Sequence, residues 1–227
     1  MMNQELYKDI ESRILYEDNH LLIVNKKVGE IVQGDKTGDE PLSETMKSFI
    51  AQRDNKPGNV FMGVTHRLDR PVSGVVVFAK TSKALERMNE IFRKGEVDKR
   101  YWALVENRPA ADSGELHHYL LRNEKQNKSY PYDLPKVGAK EAILKYEFLK
   151  ATQRYFLLEV ELITGRHHQI RCQLAAMGCI IKGDLKYGAR RSNPDGGISL
   201  HARKISFIHP VKKEKIEVIA PSFMDNL

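Results

Sequence analysis

The alternation of apolar and polar residues predicts a chain that is rich in β-strands and has few helices. Alternation along a short segment is typical of a strand whose two faces meet different environments, whereas a continuous apolar run indicates a strand buried on both faces. Residues 75–80, VVVFAK, form a run of the second kind and are therefore placed in the interior. The other predicted strands cover residues 14–24 in two pieces, 99–105, 142–148, 155–163, 205–209 and 216–220.

Helices are predicted where apolar residues recur at every third or fourth position. They cover residues 41–53, residues 81–93 and the segment from Gly165 to Gly178. Thr81 or Ser82 can cap the second of these helices, because a hydroxyl oxygen accepts a hydrogen bond from a free backbone N–H of the first turn. Gly95 ends the same helix, since glycine adopts the left-handed conformation that follows many helices.

The composition is that of an ordinary globular protein. The 227 residues are enough for a sizeable core, and 41% are hydrophobic while 30% are charged. No apolar run approaches the ~20 residues of a membrane span, and the N-terminus lacks the features of a secretion signal. Two cysteines argue against a disulfide framework and fit a reducing, cytoplasmic compartment. We expect a single domain over residues 1–227, with residues 1–13 as an N-terminal tail.

The excess of positive charge is confined to one part of the chain. Residues 166–215 contain 11 Lys and Arg but only 3 Asp and Glu, whereas the remainder contains 26 basic and 27 acidic residues. Such a segment is either a solvated, lysine-rich face or a surface that follows a phosphate backbone. Composition alone does not separate these two interpretations.

The most distinctive polar stretch is HRLDRPVSG, from His66 to Gly74, which directly precedes the buried run. Asp69 is expected in a loop that leads into this strand, where a rigid scaffold can present a polar group. Arg67 and Arg70 would favour its ionised form, as a nucleophile or a general base requires. The alternative is that Asp69 is a turn residue paired with one of these arginines.

A second polar stretch, TGRHHQIR, lies where a predicted strand ends and a helix begins. Arg166 would lie near the helix N-terminus, where an anion is stabilised, and Arg171 would share a helical face with His168. His168 and Cys172 also raise the possibility of zinc. A structural zinc site needs four ligands in paired short spacings, which are missing here, so buried thiols and an orienting histidine explain these residues better.

Four stretches of the chain resemble, in order, the signatures of the RluA-type RNA pseudouridine synthases. HRLDRPVSG is similar to HRLDxxTSG, and KRYWALV matches KxYxAxV through Lys99, Tyr101, Ala103 and Val105. GRHHQIR matches GRxHQxR, and LHARKISFIHP is similar to LHAxxLxFxHP. The chain departs from the family at Pro71–Val72, at Ile205 and at Lys27, which stands where a proline is usual. The resemblance covers roughly residues 14–221.

The resemblance implies a fold and an activity. The fold is the pseudouridine-synthase catalytic domain, an α+β domain with a mostly antiparallel mixed sheet, flanking helices and a central cleft. We expect no N-terminal S4 RNA-binding domain, because too few residues precede Ile14. The implied activity is isomerisation of uridine to pseudouridine in ribosomal or transfer RNA, without cofactor or metal, by a protein that is expected to be monomeric.

The resemblance also implies roles for particular residues. Asp69 would be the nucleophile, at ribose C1′ or at the base, or the base of a route through a glycal. Arg171 would pair with Asp69, and Tyr101 would lie against the target base, although without the family it would be taken for a core aromatic residue. Arg67 is expected to fill the space that the flipped base leaves. The remaining candidate substrate-binding residues are Arg166 and His66.

Two other functions are alternatives to RNA pseudouridine synthesis. One is a catalytically inactive RNA-binding or RNA-folding module, favoured only by Pro71–Val72. The other is a nucleoside or glycoside hydrolase that uses Asp69, but such an enzyme normally needs a second carboxylate, and none stands in the matched motifs. Residues 108–140 are irregular in pattern, and they form either an RNA-contacting excursion or a plain surface connection.

Overall fold

The computed structural model describes residues 2–227, which fold into helices and antiparallel strands. The helices of this part of the chain are α1 Gln4–Ser12, α2 Leu42–Arg53, α3 Ser82–Lys94 and α4 Gln169–Ala176. The strands are β1 Ile14–Glu17, β2 Leu21–Lys26, β3 Gly63–Val64, β4 Ser73–Ala79, β5 Val97–Val105, β6 Ser113–Asn123, β7 Lys128–Tyr132, β8 Lys140–Ala151, β9 Phe156–Leu162, β10 Leu200–Ile208 and β11 Lys215–Ile219. The predicted α+β class with mostly antiparallel sheet structure is confirmed.

The chain forms two compact units. The first unit contains the chain up to Val97 together with Lys204–Pro221, and the second contains Asp98–Arg203 and Ser222–Leu227. The expectation of a single domain remains a prediction. The segment expected to be a tail includes α1, which Asn3 caps through a hydrogen bond from the Leu6 N–H.

In the first unit, β2 lies between β1 and β4, and all three strands pair antiparallel. Residues on one face of β2 and β4, such as Ile23 and Val77, pack with Met88 of α3 and with Phe207 of β10. β4 is buried almost from end to end, as its apolar run predicts. The predicted caps of α3 are confirmed, since Thr81 accepts from the Ala84 N–H and Gly95 is left-handed with φ 74°.

The second unit is an antiparallel series of strands in the order β5, β9, β8, β6, β7. The hairpin of β6 and β7 lies in the region where the sequence pattern predicted no regular element. Most of its residues are exposed or half-buried, and β7 contains Pro131, so it lacks the apolar alternation that identifies a strand. No helix within residues 2–227 is long and apolar enough to cross a membrane.

A buried histidine stabilises the loop that joins β10 and β11 in the first unit. His209 is fully buried, and its Nδ1 accepts from the N–H groups of Val211 (3.1 Å) and Lys212 (2.9 Å). Its Nε2 lies 3.0 Å from the carboxylate of Asp18, which follows β1. Protonation of Nδ1 would therefore break two hydrogen bonds.

We expect this arrangement to make the stability depend on pH. Burial lowers the pKa of His209 below its ordinary value of 6.5, although Asp18 opposes this effect. Because the unfolded chain binds the proton more readily, the stabilisation is complete above about pH 6.5 and is lost as the pH falls from there toward the folded-state pKa. Urea midpoints measured across this range should fall with pH. The dependence of the urea midpoint on pH should be weaker in His209→Asn and unchanged in His117→Asn. The same dependence in both variants and in the unmodified chain would contradict the proposed effect of His209.

Candidate active site

Asp69 lies in the loop between β3 and β4 of the first unit and is half-buried. Its carbonyl accepts the N–H of Val72 (3.0 Å), which closes a tight turn through Arg70 and Pro71. Proline lacks an N–H and lies inside this turn, so the departure from the family pattern at Pro71 fits the local backbone. β4 begins at once, with Gly74 at φ 115°, a conformation that favours glycine. The turn thus places Asp69 next to a buried, rigid strand.

Lys26 at the end of β2 supports this turn from within the first unit. Its side chain is 1% exposed, and its ammonium nitrogen lies within hydrogen-bond distance of four carbonyl oxygens, those of Lys27 (3.0 Å), Asp69 (3.3 Å), Arg70 (3.2 Å) and Val72 (2.6 Å). Burial lowers the pKa of Lys26 to about 8, although the nearby carboxylates oppose the shift. No sequence pattern predicts this role of Lys26, because a lysine at the end of a strand is usually exposed.

We expect Lys26→Met to loosen the turn that carries Asp69. The four carbonyls would lose their donor, which should lower the free energy of unfolding by about 3 kcal/mol. The neighbouring Lys27 is a matched control, since its ion pair with Asp9 is largely exposed and should contribute about 0.5 kcal/mol. Urea denaturation of both methionine variants measures the difference. Equal stabilities for the two variants would contradict the supporting role of Lys26.

The basic residues around Asp69 have separate surroundings in the first unit. The Nε2 atom of His66 accepts the Val77 N–H (3.1 Å), which attaches the start of the loop to β4. The guanidinium of Arg70 binds the carboxylate of Asp39 and the hydroxyl of Thr37. Arg67 is exposed. The substrate contacts expected of His66 and Arg67 remain predictions.

Tyr101 and Arg171 belong to the second unit. Tyr101 lies in the middle of β5 opposite Val160 of β9, and only 8% of it is exposed. Arg171 lies in α4, and its guanidinium binds both carboxylate oxygens of Asp184 at 2.7 and 2.8 Å. Since Asp69 belongs to the first unit, its expected pairing with Arg171 remains a prediction.

The ion pair of Arg171 with Asp184 is almost completely buried. Arg171 is 5% exposed and Asp184 is 1% exposed, and the ring centre of Tyr187 lies 5.2 Å from the guanidinium carbon. Such a two-point contact fixes both the position and the plane of the guanidinium. No sequence pattern predicts a role for Asp184, because its partner is 13 residues away and no local pattern connects them.

Hydrogen bonds around Tyr187 tie α4 to the hairpin of β6 and β7. The Tyr187 hydroxyl accepts the Ser129 N–H (2.9 Å) and lies 3.1 Å from Nδ1 of His168. The Ser129 hydroxyl donates to the carbonyl of His167 (2.8 Å), whose ring stacks on His168 at 3.8 Å. Burial raises the pKa of Tyr187, so its hydroxyl stays protonated. The rings of His167 and His168 are therefore held by Ser129, by Tyr187 and by each other.

Arg166 precedes α4 and is exposed. Its Nε donates to the carbonyl of Glu141 (2.8 Å), and its backbone N–H donates to the side chain of Gln169 (2.9 Å). Both cysteines are buried, and burial raises the pKa of Cys172 to about 12. Across residues 2–227, no group of three or more His, Cys, Asp or Glu side chains is placed to hold a metal ion.

The chain is similar in sequence to known RNA pseudouridine synthases. Residues 20–176 match the family described as RNA pseudouridylate synthase. Over 221 residues the chain is 33% identical to ribosomal large subunit pseudouridine synthase C of Vibrio cholerae, covering 94% of this chain and 66% of the relative. It is 31% identical over 220 residues to the uncharacterized RNA pseudouridine synthase YlyB of Bacillus subtilis, covering 95% and 71%. The chain thus spans about two thirds of the length of these relatives.

Solved structures show the same fold. The structure of human RNA pseudouridylate synthase domain containing 4 superimposes with a TM-score of 0.81 at 24% sequence identity, covering 97% of this chain and 93% of that one. The corresponding human domain-containing protein 1 gives a TM-score of 0.72 at 21% identity, covering 98% and 86%. The predicted fold is therefore confirmed by its similarity to two solved structures, although the sequence identity to each is low.

Proposed function

Because the chain belongs to the RNA pseudouridylate synthase family, we propose that it isomerises uridine to pseudouridine in RNA. The observation that carries this proposal is the match of residues 20–176 to the family, which includes the loop of Asp69 and the buried Arg171. In the reaction, the bond between N1 and C1′ breaks and a bond between C5 and C1′ forms. C5 loses a proton and N1 gains one, so the conversion needs no other reactant.

Asp69 is proposed to be the group that reacts with the substrate. As a nucleophile its carboxylate would attack C1′ or the base ring, and as a base it would remove a ribose proton on a route through a glycal. Either role needs an ionised carboxylate held in a fixed position. The tight turn closed by Val72 and the buried ammonium of Lys26 support such a position.

Arg171 and Tyr101 are proposed to act beside Asp69. Arg171 would hold the carboxylate ionised and correctly aimed, and its bidentate contact with Asp184 supports a fixed guanidinium. The target nucleotide must leave its stack, which costs a few kcal/mol. An aromatic ring such as that of Tyr101 offsets part of this cost by contact with the base. Arg67, which is exposed, is proposed to fill the space in the RNA that the flipped base leaves.

The proposed substrate is ribosomal RNA. The relative from Vibrio cholerae is named for the large ribosomal subunit, which favours ribosomal over transfer RNA for this chain. The formal net charge of +7 and the basic segment 166–215 support a polyanionic partner. We also propose that the protein is a monomer and that it acts in the cytoplasm.

Incubation of the purified chain with unmodified large-subunit ribosomal RNA tests this function. After digestion to nucleosides, pseudouridine should appear as an isomer of uridine with an equal loss of uridine. Release of free uracil would instead indicate the hydrolase. Binding of the RNA without either product would indicate the inactive RNA-binding module. A transfer RNA transcript treated in parallel tests the choice of substrate.

A further inference from the structure

Lys99 in β5 of the second unit is a half-buried cation. No residue of the described chain, 2–227, forms a hydrogen bond or an ion pair with its ammonium, and burial alone lowers its pKa. The adjacent Arg100 differs, because its guanidinium binds the carboxylates of Asp98 (2.9 Å) and Glu161 (3.1 Å). A cation that is partly removed from water and left unpaired costs free energy unless a ligand supplies the missing contacts.

The position of Lys99 relates it to the candidate site residues of the same unit. Side chains two residues apart in a strand point to the same face, so Lys99 shares a face of β5 with Tyr101. Its Nζ atom lies 3.8 Å from the point that a Cβ on Gly165 would occupy. Gly165 and Arg166 begin the stretch that leads into α4. The ammonium of Lys99 therefore lies close to Gly165, on the face of β5 that also carries Tyr101.

We infer that Lys99 binds a phosphate of the RNA strand at the target nucleotide. The inference rests on the proposed function and extends it by naming a backbone contact. A phosphate oxygen offers a full negative charge to the unpaired ammonium, and charge-assisted hydrogen bonds are about twice as strong as neutral ones. A uracil carbonyl carries only a partial negative charge and would bind the ammonium less strongly. Because Lys99 and Tyr101 lie on the same β-strand, a contact from Lys99 to the RNA backbone would hold the sugar and phosphate in place while the base leaves its stack.

The salt dependence of RNA binding tests this contact. The probe is a fluorescein-labelled oligouridylate of about ten nucleotides, titrated at several salt concentrations. Loss of one phosphate contact to a single strand should reduce the slope of log K against log salt by about 0.7. We therefore expect Lys99→Met to bind about tenfold more weakly at low salt and with this shallower slope. Lys99→Arg keeps the charge and should restore most of the slope.

Lys8→Met is the matched control, because Lys8 is an exposed lysine of α1 and should leave both affinity and slope unchanged. An unchanged slope for Lys99→Met would overturn the inference, whether the affinity falls or not, since contact with an uncharged base does not change the slope. Salt-independent binding by the unmodified chain would overturn it too. The titration needs no turnover, so absence of pseudouridine formation would defeat the proposed function without deciding this contact.

Discussion

Replacing Asp69 with asparagine is expected to lower pseudouridine formation at least ~10³-fold, because an amide is neither a nucleophile nor a base. The side chains have nearly the same shape, and the backbone carbonyl of Asp69, which both residues share, accepts the hydrogen bonds that hold the turn. RNA affinity should therefore stay within about twofold. The rate of pseudouridine formation is measured on large-subunit ribosomal RNA, and the RNA affinity is measured by titration, for each variant.

The control for this experiment is Asp112→Asn. Asp112 is an exposed carboxylate of the second unit, and its ion pair with Arg108 is on the surface. Its amide variant should keep the rate of the unmodified chain. Conversion of uridine by Asp69→Asn at that same rate would show that another group reacts with the substrate.

The second large effect is expected at the buried ion pair of the second unit. Asp184→Ala would leave the guanidinium of Arg171 buried without its carboxylate, and loss of one partner of such a pair typically costs about 3–5 kcal/mol. The urea midpoint should fall accordingly. Activity should fall as well, measured at a temperature where the variant remains folded, because Arg171 would no longer be held in one orientation.

A double variant separates stability from function. Arg171→Met with Asp184→Leu removes both charges and replaces them with apolar groups of similar size, which is often neutral for stability. We expect this protein to regain most of the lost free energy of unfolding and to remain inactive. Full activity in the double variant would contradict the functional role of Arg171. Normal stability of Asp184→Ala would contradict the structural role of the pair.

Much of the fold can be predicted because local patterns determine it. The continuous apolar run predicts β4 as a buried strand, and Thr81 and Gly95 mark both ends of α3. The hairpin of β6 and β7 has no such signal, since much of both its strands is accessible to solvent. A sequence shows the pattern of a strand only where many of the strand's side chains are buried and therefore apolar.

The candidate site is predictable in part for a related reason. The motifs identify Asp69, Tyr101 and Arg171, but they contain no information about the groups that hold these side chains in place. Lys26 acts through backbone carbonyls 43 to 46 residues away, and Asp184 binds a residue of α4 that is 13 positions away. Contacts of this kind depend on tertiary structure, so they are found only when the chain is seen folded.

We propose that this chain makes pseudouridine in RNA and that Asp69 is required for the reaction. The most direct test maps pseudouridines in ribosomal RNA from cells that lack the gene, and from the same cells supplied with the unmodified chain or with Asp69→Asn. We expect at least one modified position to disappear on deletion, to return with the unmodified chain, and to stay absent with the asparagine variant. An identical set of pseudouridines in all these cells, or restoration by Asp69→Asn, would contradict the account.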